Sequence, residues 1–162
     1  MNKKVVTLII TGLILFVGTT IFVLNINTQD YPKTYEWNIY KVNNFSFEYP
    51  ENLKISKSLE KGGEIVAVEN NNFGFQIFIL PFNEMGPITT ERILKDLPNM
   101  KISNSAEADI GGVESLVLYG YIDGLEETFE AWTIYEEKLY QIITTKDQEE
   151  SLLEVLNTWK WE

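Results

Sequence analysis

From Tyr35 onward the chain is written in short runs whose apolar residues fall at every second position, the period of a half-buried strand. "YEWNIYKV" (35–42) and "FSFEY" (45–49) alternate on either side of an Asn-Asn pair, which tolerates the positive φ of a tight hairpin. Phe45, Phe47 and Tyr49 form one apolar face, and Pro50, which has no N–H to donate, ends the strand. "NLKISKS" (52–58) is a brief extended piece, "KGG" (61–63) a turn and "EIVAVEN" (64–70) a third strand. "FGFQIFILPF" (73–82) is apolar on both faces, which predicts a central strand covered on each side. "VESLVLYGYI" (113–122), "LEETFEAWTIYEE" (125–137) and "LYQIITTK" (139–146) complete an antiparallel series, with Asp123-Gly124 as a hairpin turn.

The period changes twice. In "GPITTERILKDLP" (86–98), Thr89 or Thr90 caps a helix, Glu91 sits in its first turn, Ile93, Leu94 and Leu97 face inward, and Pro98 stops it. In "DQEESLLEVLNTWKW" (147–161), Asp147 and Glu150 have the spacing of a capping box, and Leu152, Leu153, Leu156 and Trp159 make an apolar stripe. "MKISNSAEADIGG" (100–112) is a weakly apolar extended segment closed by a Gly-Gly turn. The pattern predicts an α+β fold: an antiparallel sheet of about six or seven strands built from hairpins, with one helix in mid-chain and one at the end.

The first 35 residues obey neither period. Val5 to Leu24 carry no charge. As a helix that run is about 30 Å long, the thickness of a bilayer core. Lys3 and Lys4 precede it and the next cation is Lys33, so the positive-inside rule places the N-terminus in the cytoplasm and the rest outside. The run is longer than a cleaved signal's apolar core and lacks a small-x-small cleavage site, so an uncleaved anchor is expected. The domain plan is therefore a signal anchor or transmembrane helix (1–24), a polar linker (25–35) and an extracytoplasmic domain (36–162), a single-pass protein of the cell membrane.

Composition removes several kinds of chemistry. The 162 residues include no cysteine and no histidine. Disulfides, thiolate ligands, cysteine nucleophiles and the commonest general base and zinc ligand are thus excluded. A net charge of −11 repels phosphate backbones, so nucleic acid is not an expected partner. What remains is carboxylate chemistry. Glu126 and Glu130 are the candidate metal ligands, but along one strand they stand about 13 Å apart, with Glu127 on the other face. No calcium-loop motif surrounds them, and solvated acids are the simpler expectation. Paired carboxylates could also serve a hydrolase. Ser56 or Ser58 beside Lys54, Lys57 or Lys61 lacks the motif of a Ser–Lys dyad. The Gly-Gly pairs at 62–63 and 111–112 do not join a strand to a helix as a phosphate loop does. Of the many aromatics most belong in a core; Tyr119 and Tyr121 alternate with Leu118 and Gly120 and are the candidate exposed binding surface.

One resemblance follows from the order of these pieces. An aromatic hairpin ending in "FSFEYP", a central strand, a helix, an "IGGVES" turn, a long hairpin, and "AWTIYEEKLYQIITT" running into a last helix resemble the PsbP-like superfamily over residues 37–161. Relatives often carry Trp three residues after this proline, where this chain has Leu53. The resemblance implies an αβα sandwich and a non-catalytic accessory or binding role, with no catalytic residues and no cofactor. The expectation is a membrane-anchored binding module for a protein or cell-surface partner. The alternatives are an extracytoplasmic carboxylate-dependent hydrolase or a weak divalent-cation binder.

Overall fold

The computed structural model describes residues 36–60, 62–122 and 125–162. The expected anchor Val5–Leu24 with Lys3 and Lys4, the linker 25–35, Lys61 and the Asp123-Gly124 turn lie outside them. Among the described residues ten strands form two antiparallel sheets. The strands are β1 (Trp37–Lys41), β2 (Phe45–Pro50), β3 (Lys54–Glu60), β4 (Gly63–Glu69), β5 (Gly74–Pro81), β6 (Met100–Ile110), β7 (Val113–Ile122), β8 (Thr128–Tyr135), β9 (Lys138–Thr145) and β10 (Lys160–Trp161). Helix α1 spans Thr90–Asp96 and α2 spans Glu149–Leu156. The large sheet runs β3-β4-β5-β9-β8-β7-β6, and the small one β1-β2-β10.

The expected sheet of about six or seven strands is present with seven, but built from a different set of strands. The opening hairpin was expected in the main sheet. Its inward aromatics instead need a facing layer, and it forms the small sheet packed on the large one. The places in the main sheet go to the two weakly apolar segments. β3 and β6 are its edges, where only part of each strand is covered and a mostly exposed run of polar residues is stable. The doubly apolar β5 is internal, as its pattern requires, pairing β4 and β9.

The two faces of the large sheet bury different clusters. Phe45, Phe47, Leu53, Phe75, Ile77, Phe129, Tyr140, Ile142, Leu152, Val155 and Trp159 fill the face beneath the small sheet and α2. Leu53, the apolar residue after Pro50, is buried in this cluster. Leu80, Phe82, Leu116, Leu118, Trp132 and Leu139 meet Ile93, Leu97 and Met100 on the opposite face, beneath α1. Thr89 caps α1 by accepting from the Arg92 N–H at 3.3 Å. The expected capping box at the last helix is not formed. Asp147 lies in a 3₁₀ turn, and the N-cap residue Gln148 turns its amide to the β4–β5 turn, accepting from Gly74 N–H at 3.2 Å and donating to the Asn72 carbonyl at 3.0 Å.

The expected helix to residue 161 also stops early. Thr158 accepts from the Glu48 N–H at 2.8 Å, and the chain reopens as β10, with Trp161 opposite Phe45. Gly111 makes room for this return: with φ +60°, a Cβ there would stand 2.8 Å from the Trp159 carbonyl oxygen.

The β8–β9 hairpin turns through Glu136 (φ 46°) and Glu137 (φ 57°). Both sit in the left-handed region, where an L side chain costs about 1–2 kcal/mol and where tight hairpins favour Asn-Gly. Glu137→Gly should raise unfolding stability by roughly 1 kcal/mol in a urea titration. A loss would show that the Glu137 side chain stabilises the turn by more than its backbone costs.

Candidate functional site

Glu126 and Glu130 part company in the fold. Glu126 is exposed in the segment before β8, whereas Glu130 is buried, 1% exposed, on the sheet face beneath α1. A solvated Glu130 was the expectation. The strand phase alone could not show which face of β8 would be covered, and here both are. No group of three or more potential metal-ligating side chains assembles among the described residues.

Glu130 is surrounded by neutral donors. Oε2 accepts from Trp132 Nε1 and from Gln141 Nε2, both at 2.9 Å. Oε1 lies 2.7 Å from Thr128 Oγ1, and that hydroxyl lies 2.8 Å from the Gly120 carbonyl oxygen. One hydroxyl proton cannot serve two acceptors. If Glu130 is protonated the chain closes: its O–H donates to Thr128, and Thr128 donates to Gly120. Burial pushes the Glu130 pKa above its ordinary 4.5, against the lowering effect of Thr128, Gln141 and Trp132. Gly120 belongs to the same assembly, because a Cβ there would strike Met100 Cε at 2.2 Å and crowd Glu130 Oε1 at 3.2 Å. The arrangement is that of a neutral acid knitting β7, β8 and β9 together.

A depression of about 460 Å³ beside α1 gathers other acids, Glu91, Glu107 and Glu114, with Thr89, Thr90 and Ser105. All three carboxylates are exposed. Glu91 is lowered by hydrogen bonds from its own backbone N–H and from Thr89 and Thr90. Glu91 is thus favoured in its ionised form, the opposite of a raised-pKa acid paired with a base. Glu127 is also a surface group, clasped at 2.7 Å by Lys146 and at 2.7 Å by Ser103, the residue at the β6 bulge.

Tyr119 and Tyr121 are half-buried at one end of the large sheet. The Tyr119 hydroxyl donates to the Glu149 carboxylate at 2.7 Å, its ring lies 5.7 Å from Phe129, and Lys146 Nζ stands 4.9 Å over it. The bond to Glu149 raises its pKa. Lys101 Nζ stands 5.3 Å over Tyr121. Both rings are therefore engaged within the fold.

Among the described residues the exposed large apolar side chains are Trp37, Ile39, Leu59, Met85, Leu94 and Leu153; Trp37 and Ile39 share one face of one strand, a pairing that sequence reasoning missed. In β1 the more apolar alternate set is Trp37 and Ile39, and it faces outward, 38% and 68% exposed, while Tyr40 turns in. The β2 partners of Trp37 and Ile39 are Pro50 and Glu48. The reason is register: Tyr40 pairs Phe47, and the inward pull of Phe45 and Phe47 commits the hairpin. A signal existed in "YEWNIYKV": both alternate sets contain apolar residues, so one had to be left outside.

Neither a family model nor a curated protein matches the sequence. Solved structures do match. The solution structure of cyanobacterial PsbP (CyanoP) from Synechocystis sp. PCC 6803 aligns with a TM-score of 0.58 at 12% identity, over 85% of this chain and 99% of that one. A Pseudomonas aeruginosa protein of unknown function, PA94, aligns with a TM-score of 0.41 at 13% identity, over 75% of this chain and 94% of that one, too low a score to carry an argument. The chain has a PsbP-like fold, mostly antiparallel sheet with few helices. At this identity the likeness describes architecture alone.

Glu130 gives a pH test. A pKa raised in the native state means that its contribution is complete below about 4.5 and is lost as pH climbs through the native value. Glu130→Gln keeps the two acceptor bonds and a donor to Thr128. Relative to wild type, the variant should lose at most about 1 kcal/mol at pH 4 and gain as pH rises to 8, in paired urea titrations. A stability difference that does not change with pH would mean that Glu130 is ionised in the fold.

Proposed function

We propose that the chain is a non-catalytic, membrane-anchored extracytoplasmic binding or accessory module that engages a protein partner through the outer face of the β1–β2 hairpin. The observation that carries the reading is the outward apolar pair Trp37 and Ile39 on an edge strand. Exposed aromatic and aliphatic side chains that the core does not need are what a protein interface uses as anchors. In the described residues β1 pairs only with β2, so its other edge offers backbone hydrogen bonds to an added strand. The uncharged run Val5–Leu24 behind Lys3 and Lys4 supports the anchored topology. Twelve residues separate Leu24 from Trp37, which holds this face within roughly 45 Å of the membrane surface.

A carboxylate-dependent hydrolase has less support. Among the described residues Glu130 is the one buried acid and its partners are structural, while the acids grouped beside α1 are exposed.

A photo-crosslinking residue placed at Ile39 in the full-length protein, expressed in its own cells, tests the docking face. The expected product is a discrete protein adduct that Trp37→Ser reduces at least tenfold and that a crosslinker at exposed Glu107 does not form. Adducts to lipid alone, or equal adducts from both positions, would overturn the reading. A purified protein that cleaves cell-surface glycans would replace it with the hydrolase.

A further inference from the structure

A second feature sits at the other end of the hairpin, away from Trp37. A cavity of about 380 Å³ opens between the Val42–Asn44 turn, β3, β4, β5 and β9. It has room for roughly a dozen water-sized groups, so it suits a small molecule better than a bare ion. Lys41, Lys57 and Lys138 line it together with Glu64 and Tyr140. That is a concentration of cations in a chain of net charge −11.

The hydrogen-bonding capacity of the walls points to one kind of ligand. One carboxylate, Glu64, lines the cavity and faces Lys57, and two more at its margin already have partners. Glu162 accepts from Lys41 at 2.9 Å and from Ser46 at 3.2 Å, and Glu136 accepts from the Asn44 amide. The donors are not all taken. Lys138 uses one N–H, to Asn44 Oδ1 at 3.2 Å. Lys57 is ion-paired with Glu64 at 3.7 Å and stands 5.0 Å over the Tyr40 ring, and Tyr40 first and then Glu64 hold its pKa above the ordinary value, so it stays charged. The Tyr140 hydroxyl is buried with no partner among the described residues. Burial first, then Glu136, Tyr135 and Glu64, push its pKa up to about 12, so it stays a donor. A buried hydroxyl without a partner is destabilising unless something fills the space beside it.

We propose that this cavity binds a small oxyanion, the carboxylate or phosphate group of a soluble metabolite-sized molecule, through Lys57, Lys138 and the Tyr140 hydroxyl. Two ammonium groups supply charge-assisted bonds and the phenol supplies a neutral one that fixes orientation. Asn44, clamped between Lys138 and Glu136, holds the hairpin tip as the outer lip. The site is separate from the docking face, and either can fail without the other.

The test is calorimetry on the full-length chain in nonionic detergent, titrated in separate runs with inorganic phosphate and with citrate. Micelles doped with phosphatidylglycerol form a third arm. The expected result is saturable binding of at least one soluble probe, weakened by added salt. Lys57→Ala and Lys138→Ala should each weaken it about tenfold. Tyr140→Phe should weaken it severalfold without lowering the thermal midpoint of the unliganded protein, because the hydroxyl has no partner to lose. Lys160→Ala, whose side chain does not line the cavity, should change nothing. Binding by neither soluble probe at concentrations of about 10 mM, binding confined to doped micelles, or binding indifferent to all three cavity variants would overturn the proposal.

Discussion

The Trp159 indole holds this architecture together. It stacks on Phe45 with ring centroids 4.8 Å apart and planes 5° from parallel, and on Phe47 at 5.1 Å and 13°. Phe47 in turn meets Phe75 of the large sheet edge-on at 5.7 Å, and Phe45 meets Tyr140 at 5.7 Å. One ring from the end of the chain thus joins the opening hairpin to the central strands. A two- or three-stranded sheet has little stability alone. The small sheet exists because its inner face is this aromatic layer, and because β10, next to Trp159, adds the third strand. The indole N–H is buried without a partner among the described residues, a cost of about 1–3 kcal/mol that the stacking and burial of three rings must exceed.

Much of what is distinctive on the surface follows from that layer. Once Phe45 and Phe47 face inward, hairpin register leaves Trp37 and Ile39 outside. The same packing raises the hairpin tip over Lys57, Lys138 and Tyr140, and so forms the cavity beneath it. Fold and candidate surfaces are consequences of one packing choice.

The parts legible in the sequence were those governed by local period. The doubly apolar 73–82, the alternating 113–122 and 139–146, the Thr89 cap and the inward Phe45 and Phe47 are all local patterns, and the fold uses them as such. The PsbP-like architecture was legible for the same reason, as an order of such elements. What escaped depends on contacts between distant residues. The second sheet needs Trp159 against Phe45, 114 positions earlier in the chain. The fate of Glu130 depended on which strand and helix would cover it, since alternation assigns a side of β8 but not its surroundings. The β1 face was ambiguous because both of its sides carry apolar residues. The edge strands 54–60 and 100–110 were visible only as weak extended segments, because a strand that needs little burial carries little pattern.

The most direct measurement is the stability and amide hydrogen exchange of Trp159→Ala. Removing the ring should cost roughly 3–5 kcal/mol in urea unfolding. Under native conditions it should also strip protection from the amides of β1, β2 and β10 before those of β5 and β9. A loss below about 1 kcal/mol with the hairpin still protected would show that the small sheet is held by other contacts, and would contradict this account.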